Sequence, residues 1–108
     1  MNNTDAVTAL AALAQDSRLA IVRLLIQNAP AGLTVGLIGE QLELPAPTLS
    51  FHLKELVHAD LVSVEREGRN LHYRPALGRM NELLSYLTDH CCMGKSCAPS
   101  GAKRRTTC

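Results

Sequence analysis

The hydrophobic pattern of this chain changes period near residue 60, and that change limits what the chain can fold into. Up to that point apolar residues recur at the three-to-four spacing of amphipathic helices. Beyond it, "LVSVERE", "GRN" and "LHYRPA" read as two strands joined by a short turn around Gly68, a β-hairpin. Helical spacing then returns in "ALGRMNELLSYLTDHCC". Helices, one hairpin and a closing helix are therefore the elements this chain has to pack.

Thr4 or Asp5 is placed to cap a first helix, with Val7, Leu10, Ala11, Leu13 and Ala14 on one apolar side. "DSRLAIVRLLIQNAP" predicts a second helix capped by Asp16 or Ser17. Leu19, Val22, Leu25 and Ile26 run down one side of it, and Pro30 and Gly32 stop it. A third helix, "TVGLIGEQLEL", is short and weakened by Gly36 and Gly39. Only Pro45 to Pro47 separates it from a fourth, "TLSFHLKELVHADL". The last helix carries Leu77, Met80, Leu84 and Leu87 at helical spacing, Gly94 ends it, and "KSCAPSGAKRRTTC" reads as a flexible basic tail. The expected division is a domain over 1–92 and a cysteine-containing tail over 93–108.

At 108 residues the chain is one domain, small enough to benefit from a partner subunit. Hydrophobic residues make up 46% and aromatic residues 3%, so the core is built from Leu, Val, Ile and Ala, which suits packed helices. Eleven basic residues against ten acidic ones leave net charge with no argument for or against nucleic acid. No apolar run approaches a membrane span. "MNNTDAVTALAALAQ" has no basic start before its apolar part and does not read as a signal peptide. These features place the chain in a reducing cytoplasm, where clustered cysteines more often bind metal or sense redox state than form structural disulfides.

Two short helices, a tight turn and a hairpin make a winged helix-turn-helix, mainly α with a β-hairpin in the order α-α-α-α-β-β-α. In such a fold the second helix of the pair enters the major groove of double-stranded DNA and the wing reaches the flanking backbone or minor groove. On the wheel of the fourth helix, Leu49, Leu53, Leu56 and Val57 face the core. Ser50, Phe51, Lys54 and His58 face outward, Thr48 lies at the exposed start and His52 on the flank. Phe51, the single Phe of the chain, is placed to touch a thymine methyl while its neighbours bond base edges or phosphates. The plainer reading is that it covers a neighbouring loop. In the wing, Arg66, Arg69 and Arg74 lie on or beside the turn, offset by Glu65 and Glu67, and Arg69 at the tip is the best phosphate or minor-groove candidate. A solvated hairpin with alternating charges is the alternative there. The DNA-binding candidates are thus Thr48, Ser50, Phe51, His52, Lys54, Arg66 and Arg69.

On these residues the chain resembles the ArsR/SmtB metalloregulatory repressors. "LAQDSRLAIVRLL" looks like that family's opening helix pair. "LPAPTLSFHLKELVHADLVSVEREGRNLHYRPA" is similar to its recognition helix and wing, including Ser50–His52, Leu53, Leu56 and the "GR…YR" hairpin. The resemblance covers roughly residues 8–90 and implies a homodimeric repressor, joined through its first and last helices, that sets two recognition helices on a palindromic operator. There are departures. Where members with a "CVC" motif place metal ligands in the third helix, this chain has Thr34, Val35 and Gly36. The carboxylate and histidine set that other members carry across the last helices is not evident, and Pro45 stands where a capping Ser is usual.

All four cysteines lie after residue 90, three of them in "DHCCMGKSC". A disulfide between Cys91 and Cys92 is strained, because adjacent Cα atoms lie about 3.8 Å apart and a disulfide wants roughly 4.4–6.8 Å. A Cys92–Cys97 bridge remains as a redox switch. Zinc, or cadmium with it, would draw His90, Cys91 and Cys92 onto one ion together with Cys97, which is awkward for a tetrahedral centre. Trivalent arsenic or antimony is soft and takes three thiolates in a pyramid, which Cys91, Cys92 and Cys97 supply. The cluster resembles the C-terminal arsenite sites of some ArsR-type repressors, and that resemblance implies As(III) or Sb(III) as inducer. His90 then lies beside the site, and Cys108 is a spare thiol. An unused set of buried and tail cysteines is the bland alternative. An enzyme is disfavoured, since the sequence has no P-loop, no nucleophile followed by a backbone cradle and no acid/base pair.

Overall fold

The computed structural model describes residues 1–90. Five helices and three short strands follow in the order α1 (Asn3–Leu13), α2 (Asp16–Gln27), β1 (Leu33–Thr34), α3 (Val35–Leu42), α4 (Ala46–His58), β2 (Val62–Glu67), β3 (Asn70–Pro75) and α5 (Leu77–Leu87). This is the winged helix-turn-helix expected from the change of period, with one addition. Two residues, Leu33 and Thr34, pair antiparallel with Tyr73 and His72, so the wing is a three-stranded sheet in the order β1-β3-β2. A two-residue strand is too short to leave a periodic trace in sequence.

The core gathers around α4. Ile21 and Leu25 of α2, Ile38 of α3, Leu49, Leu53 and Leu56 of α4, and Leu61 just before β2 are all fully buried. Thr34 caps α3 by accepting from the Leu37 N–H, and Glu43 ends that helix in the left-handed region. Pro45 is the N-cap of α4 and makes no side-chain cap bond, with Pro47 in the first turn. α4 therefore begins two residues earlier than its apolar spacing predicts, because proline's fixed φ suits a first turn whose N–H groups have no helical partner.

Three helices turn a different face inward than their spacing predicts, and one is α2, which buries Ile21 with Val22 and Leu25 and leaves Leu19 and Ile26 exposed. On α1 the buried residues are Ala6, Ala9 and Ala12, while Val7 and Leu10 are 56% and 41% exposed. Small side chains let α1 lie close on α2 and α4, and the bulkier stripe is left outside. Its cap is Asn2 rather than Thr4 or Asp5. Asn2 accepts from the Asp5 N–H and the Asp5 carboxylate accepts from the Asn2 N–H, a reciprocal box that satisfies two end groups at once. On α2 the cap is Gln15, one residue before the expected Asp16, and it accepts from the Arg18 N–H.

α5 is the third of these helices. It ends at Leu87, where the Thr88 hydroxyl donates to the Leu84 carbonyl 3.0 Å away, and His90 has φ 59°. The helical run expected through "SYLTDHCC" therefore stops at Leu87 among the described residues, before Cys91 and Cys92. They, Cys97 and the boundary at 92/93 lie outside the described residues. α5 buries Leu83 and half-buries Met80, and exposes Leu77, Leu84 and Leu87. It packs on α1, where the Tyr86 hydroxyl donates to Asn3 Oδ1 at 3.1 Å.

Gly32 joins α2 to β1 with φ +77°, and a Cβ placed there would stand 2.0 Å from the Tyr73 carbonyl oxygen. Gly36, inside α3, has open space around it. We therefore expect opposite effects from the same substitution. Gly32→Ala costs more than about 2 kcal/mol through the left-handed penalty and the backbone clash. Gly36→Ala adds about 0.5–1 kcal/mol through helix propensity. Urea unfolding midpoints measure both, and shifts of the same sign would contradict the placement.

Candidate nucleic-acid interface

With Leu49, Leu53 and Leu56 buried, α4 presents Thr48, Ser50, Phe51, Lys54 and His58 to solvent. Five of the side chains expected on its outer face are therefore on one exposed surface. Phe51 is 54% exposed.

His52 is the exception. It is only 7% exposed, and Arg18 Nε–H donates to its Nδ1 at 3.2 Å. A guanidinium nitrogen can only donate, so Nδ1 accepts and the ring proton sits on Nε2. A flank position on a helical wheel can turn either way, and the Arg18 donor on α2 turns this one inward. His52 faces the protein interior, not the surface on which the other candidates lie.

The wing is sorted by strand alternation. Register pairs Val64 with Tyr73 and Arg66 with Leu71, so these four side chains share one face of the sheet. That face turns toward α4. Ser50, Lys54, Val57 and His58 from the helix line a groove of about 340 Å³ together with Val64 and Tyr73. Arg66 extends the same face toward the tip, where Arg69 sits between Gly68 (φ 65°) and Asn70. Burial pushes the Tyr73 phenol up from its ordinary value.

The opposite face carries Glu65, Glu67, His72 and Arg74. Arg74 bonds Glu65 and Glu67, and the Glu65 hydrogen bond above all holds its guanidinium charged. His72 Nε2 lies 2.7 Å from the Ala31 carbonyl oxygen and ties this face to the turn after α2. The acidic residues that offset the wing's charge are thus gathered on Arg74, while Arg66 and Arg69 have no ion-pair partner among the described residues. An outward helix face of hydroxyls, an ammonium and an aromatic ring, beside a groove and two arginines, matches the donors and apolar contacts that duplex DNA accepts.

A helix-turn-helix domain model matches residues 13–65. HlyU from Vibrio cholerae is 34% identical, with 81% of this chain and 97% of that one covered and a TM-score of 0.65. The chain belongs to the HlyU-like winged helix-turn-helix regulators of ArsR type. HlyU from the same organism is also solved in a reduced form, 31% identical, covering 84% of this chain and 93% of that one with a TM-score of 0.67. The homodimeric winged helix-turn-helix DNA-binding domain of a possible ArsR-family transcriptional regulator from Mycobacterium bovis is 29% identical. It covers 81% of each chain at a TM-score of 0.64. No curated protein matches the chain. This ArsR-type chain is thus a DNA-binding transcriptional regulator, and its relatives are regulators rather than enzymes.

Among the described residues of this HlyU-like regulator, no three His, Cys, Asp or Glu side chains converge on a metal position, and no helix is long and apolar enough to cross a membrane. Sequence reasoning missed Arg18 and Tyr73 as parts of this surface. Arg18 lies on another helix, and Tyr73 carries no signal in strand alternation beyond being apolar. The inward His52 is directly checkable. In long-range ¹H–¹⁵N spectra above pH 8, His52 is expected as the Nε2–H form, its Nδ1 shifted by an accepted hydrogen bond, and Arg18→Ala is expected to remove that shift.

Proposed function

We propose that this regulator binds operator DNA in the cytoplasm as a homodimeric repressor and leaves it when As(III) or Sb(III) binds the thiolates of Cys91, Cys92 and Cys97. The observation that carries the DNA part is the exposed row Thr48, Ser50, Phe51 and Lys54 on α4, set beside a wing face that bears Arg66. Phe51 meets a thymine methyl group, Ser50 and Thr48 bond base edges or phosphates, and Lys54, Arg66 and Arg69 neutralise the backbone. The dimer reading is supported by the apolar residues left outside on the packed pair α1 and α5, namely Val7, Leu10, Leu77, Leu84 and Leu87. The Mycobacterium bovis relative is described as homodimeric.

The inducer reading rests on the sequence. Three thiols within seven positions follow α5, in a chain with no other cysteine before its last residue. Three soft donors suit a three-coordinate soft ion. Release requires that the ion bind better to one arrangement of α5 than to the DNA-bound one. A coupling of about 1–3 kcal/mol between the sites changes operator affinity by one or two orders of magnitude.

A second reading keeps the DNA binding and makes Cys92 and Cys97 a disulfide switch, and the existence of a reduced form of a relative favours it. One titration separates the two. A duplex selected by the protein from random-sequence DNA is bound under strong reductant and titrated with arsenite, with anisotropy as the readout. Release at stoichiometric arsenite is expected. Retention there, with release by peroxide instead, overturns the metalloid reading. Cys97→Ser is expected to weaken the arsenite response far more than the response to a methylated trivalent arsenical, which needs two thiolates. For the DNA surface, Lys54→Met and Arg69→Met are each expected to lower the slope of log K against log salt by about 0.9 and to weaken all sequences alike.

A further inference from the structure

The DNA reading above assigns its contacts to α4 and the wing. Yet one residue of α2 grips two consecutive residues of the recognition helix. Arg18, in the first turn of α2, donates through Nε–H to Nδ1 of His52 at 3.2 Å. Its guanidinium carbon also lies 5.6 Å from the centre of the Phe51 ring. The Phe51 and His52 rings stand 5.7 Å apart at 59° to one another. One of these neighbours is inward and buried, the other 54% exposed.

The two contacts have different consequences. The hydrogen bond ties the His52 flank of α4, whose rotation the buried leucines set, to the first turn of α2. The cation–π contact acts on Phe51 itself. An aromatic side chain on a wet helix face has more than one staggered χ1 open to it, and a guanidinium charge 5.6 Å over the ring centre favours the one that keeps the contact. A ring already held in its binding rotamer loses less freedom when DNA arrives.

We propose that Arg18 is a positioning residue for operator recognition. By bonding His52 and placing its charge over Phe51 it holds the Phe51 ring where it meets the C5-methyl group of a thymine in the major groove. The role rests on the DNA reading of α4, and it makes the base specificity of α4 depend on a residue of a different helix.

The test uses the full-length reduced protein and a duplex it has selected from random-sequence DNA, with each thymine replaced in turn by uracil, which removes only the methyl group. The wild type is expected to lose about fourfold in affinity at one thymine per half-site, the value of one buried methyl. Phe51→Ala is expected to abolish that loss. Arg18→Ala and Arg18→Lys are both expected to abolish it as well. Lysine keeps the charge and the aliphatic stem, which protects the fold, but has neither the planar guanidinium nor its Nε donor. Melting temperatures of all variants are recorded alongside. If Arg18→Lys keeps the fourfold uracil loss, Arg18 supplies charge alone and the proposal is overturned. A Phe51→Ala variant that loses the uracil effect while both Arg18 variants retain it overturns it too and leaves the Phe51 contact standing. If no thymine of the wild-type complex is sensitive to uracil, the Phe51 contact falls and takes the role of Arg18 with it, while selective duplex binding still upholds operator recognition.

Discussion

Burial of one side of α4 is the constraint from which the rest of this structure follows. Leu49, Leu53 and Leu56 are closed in by Ile21, Leu25, Ile38 and Leu61, so the helix can neither rotate nor slide without opening a cavity. Removing one such leucine side chain costs about 2–5 kcal/mol in a well-packed core, a large share of what a domain of this size has. The same packing decides which residues are left outside. Thr48, Ser50, Phe51, Lys54 and His58 form a surface because the opposite side of their helix is pinned, and the wing lies beside them because Leu61 and Tyr73 join it to that core.

Charge is handled by sorting. The chain carries a formal net charge of only +1, too little to attract a polyanion by itself. Strand alternation puts Glu65, Glu67 and Arg74 on one face of the hairpin, where one guanidinium holds both carboxylates. Val64, Tyr73 and Arg66 fall on the face turned to α4. A nearly neutral protein can in this way present a locally basic surface, because the acidic residues that balance it are paired on the other side of a two-residue period.

The helices far from this surface follow the same logic with a different outcome. α1 buries alanines and keeps Val7 and Leu10 outside, and α5, which packs on it, exposes Leu77, Leu84 and Leu87. Large apolar side chains left on two packed helices are costly in a lone monomer and useful where a second subunit covers them. A signal arriving just after α5 would reach this pair of helices first, and α1 in turn touches both α2 and α4.

Much of this was legible in the amino-acid sequence. The change of period announced the wing, the spacing of Leu49, Leu53 and Leu56 announced the buried side of α4, and Gly68 marked the turn. Local rules failed where two elements compete for one residue. The apolar spacing of α1 cannot say whether alanines or larger residues face the core, since that depends on how closely α2 approaches. The helical run into "LTDHCC" does not reveal that the Thr88 hydroxyl finds the Leu84 carbonyl and that α5 stops at Leu87. His52 is the plainest case, for a flank residue is free to turn until a donor from another helix takes it. Sequence alone determined the five helices, the hairpin, their order and the outward row on α4, because these follow from periodicity within one segment. Tertiary structure decided the short strand β1, the inward His52, the approach of Arg18 to Phe51 and the charge-sorted wing, because each depends on atoms from segments that periodicity cannot place side by side.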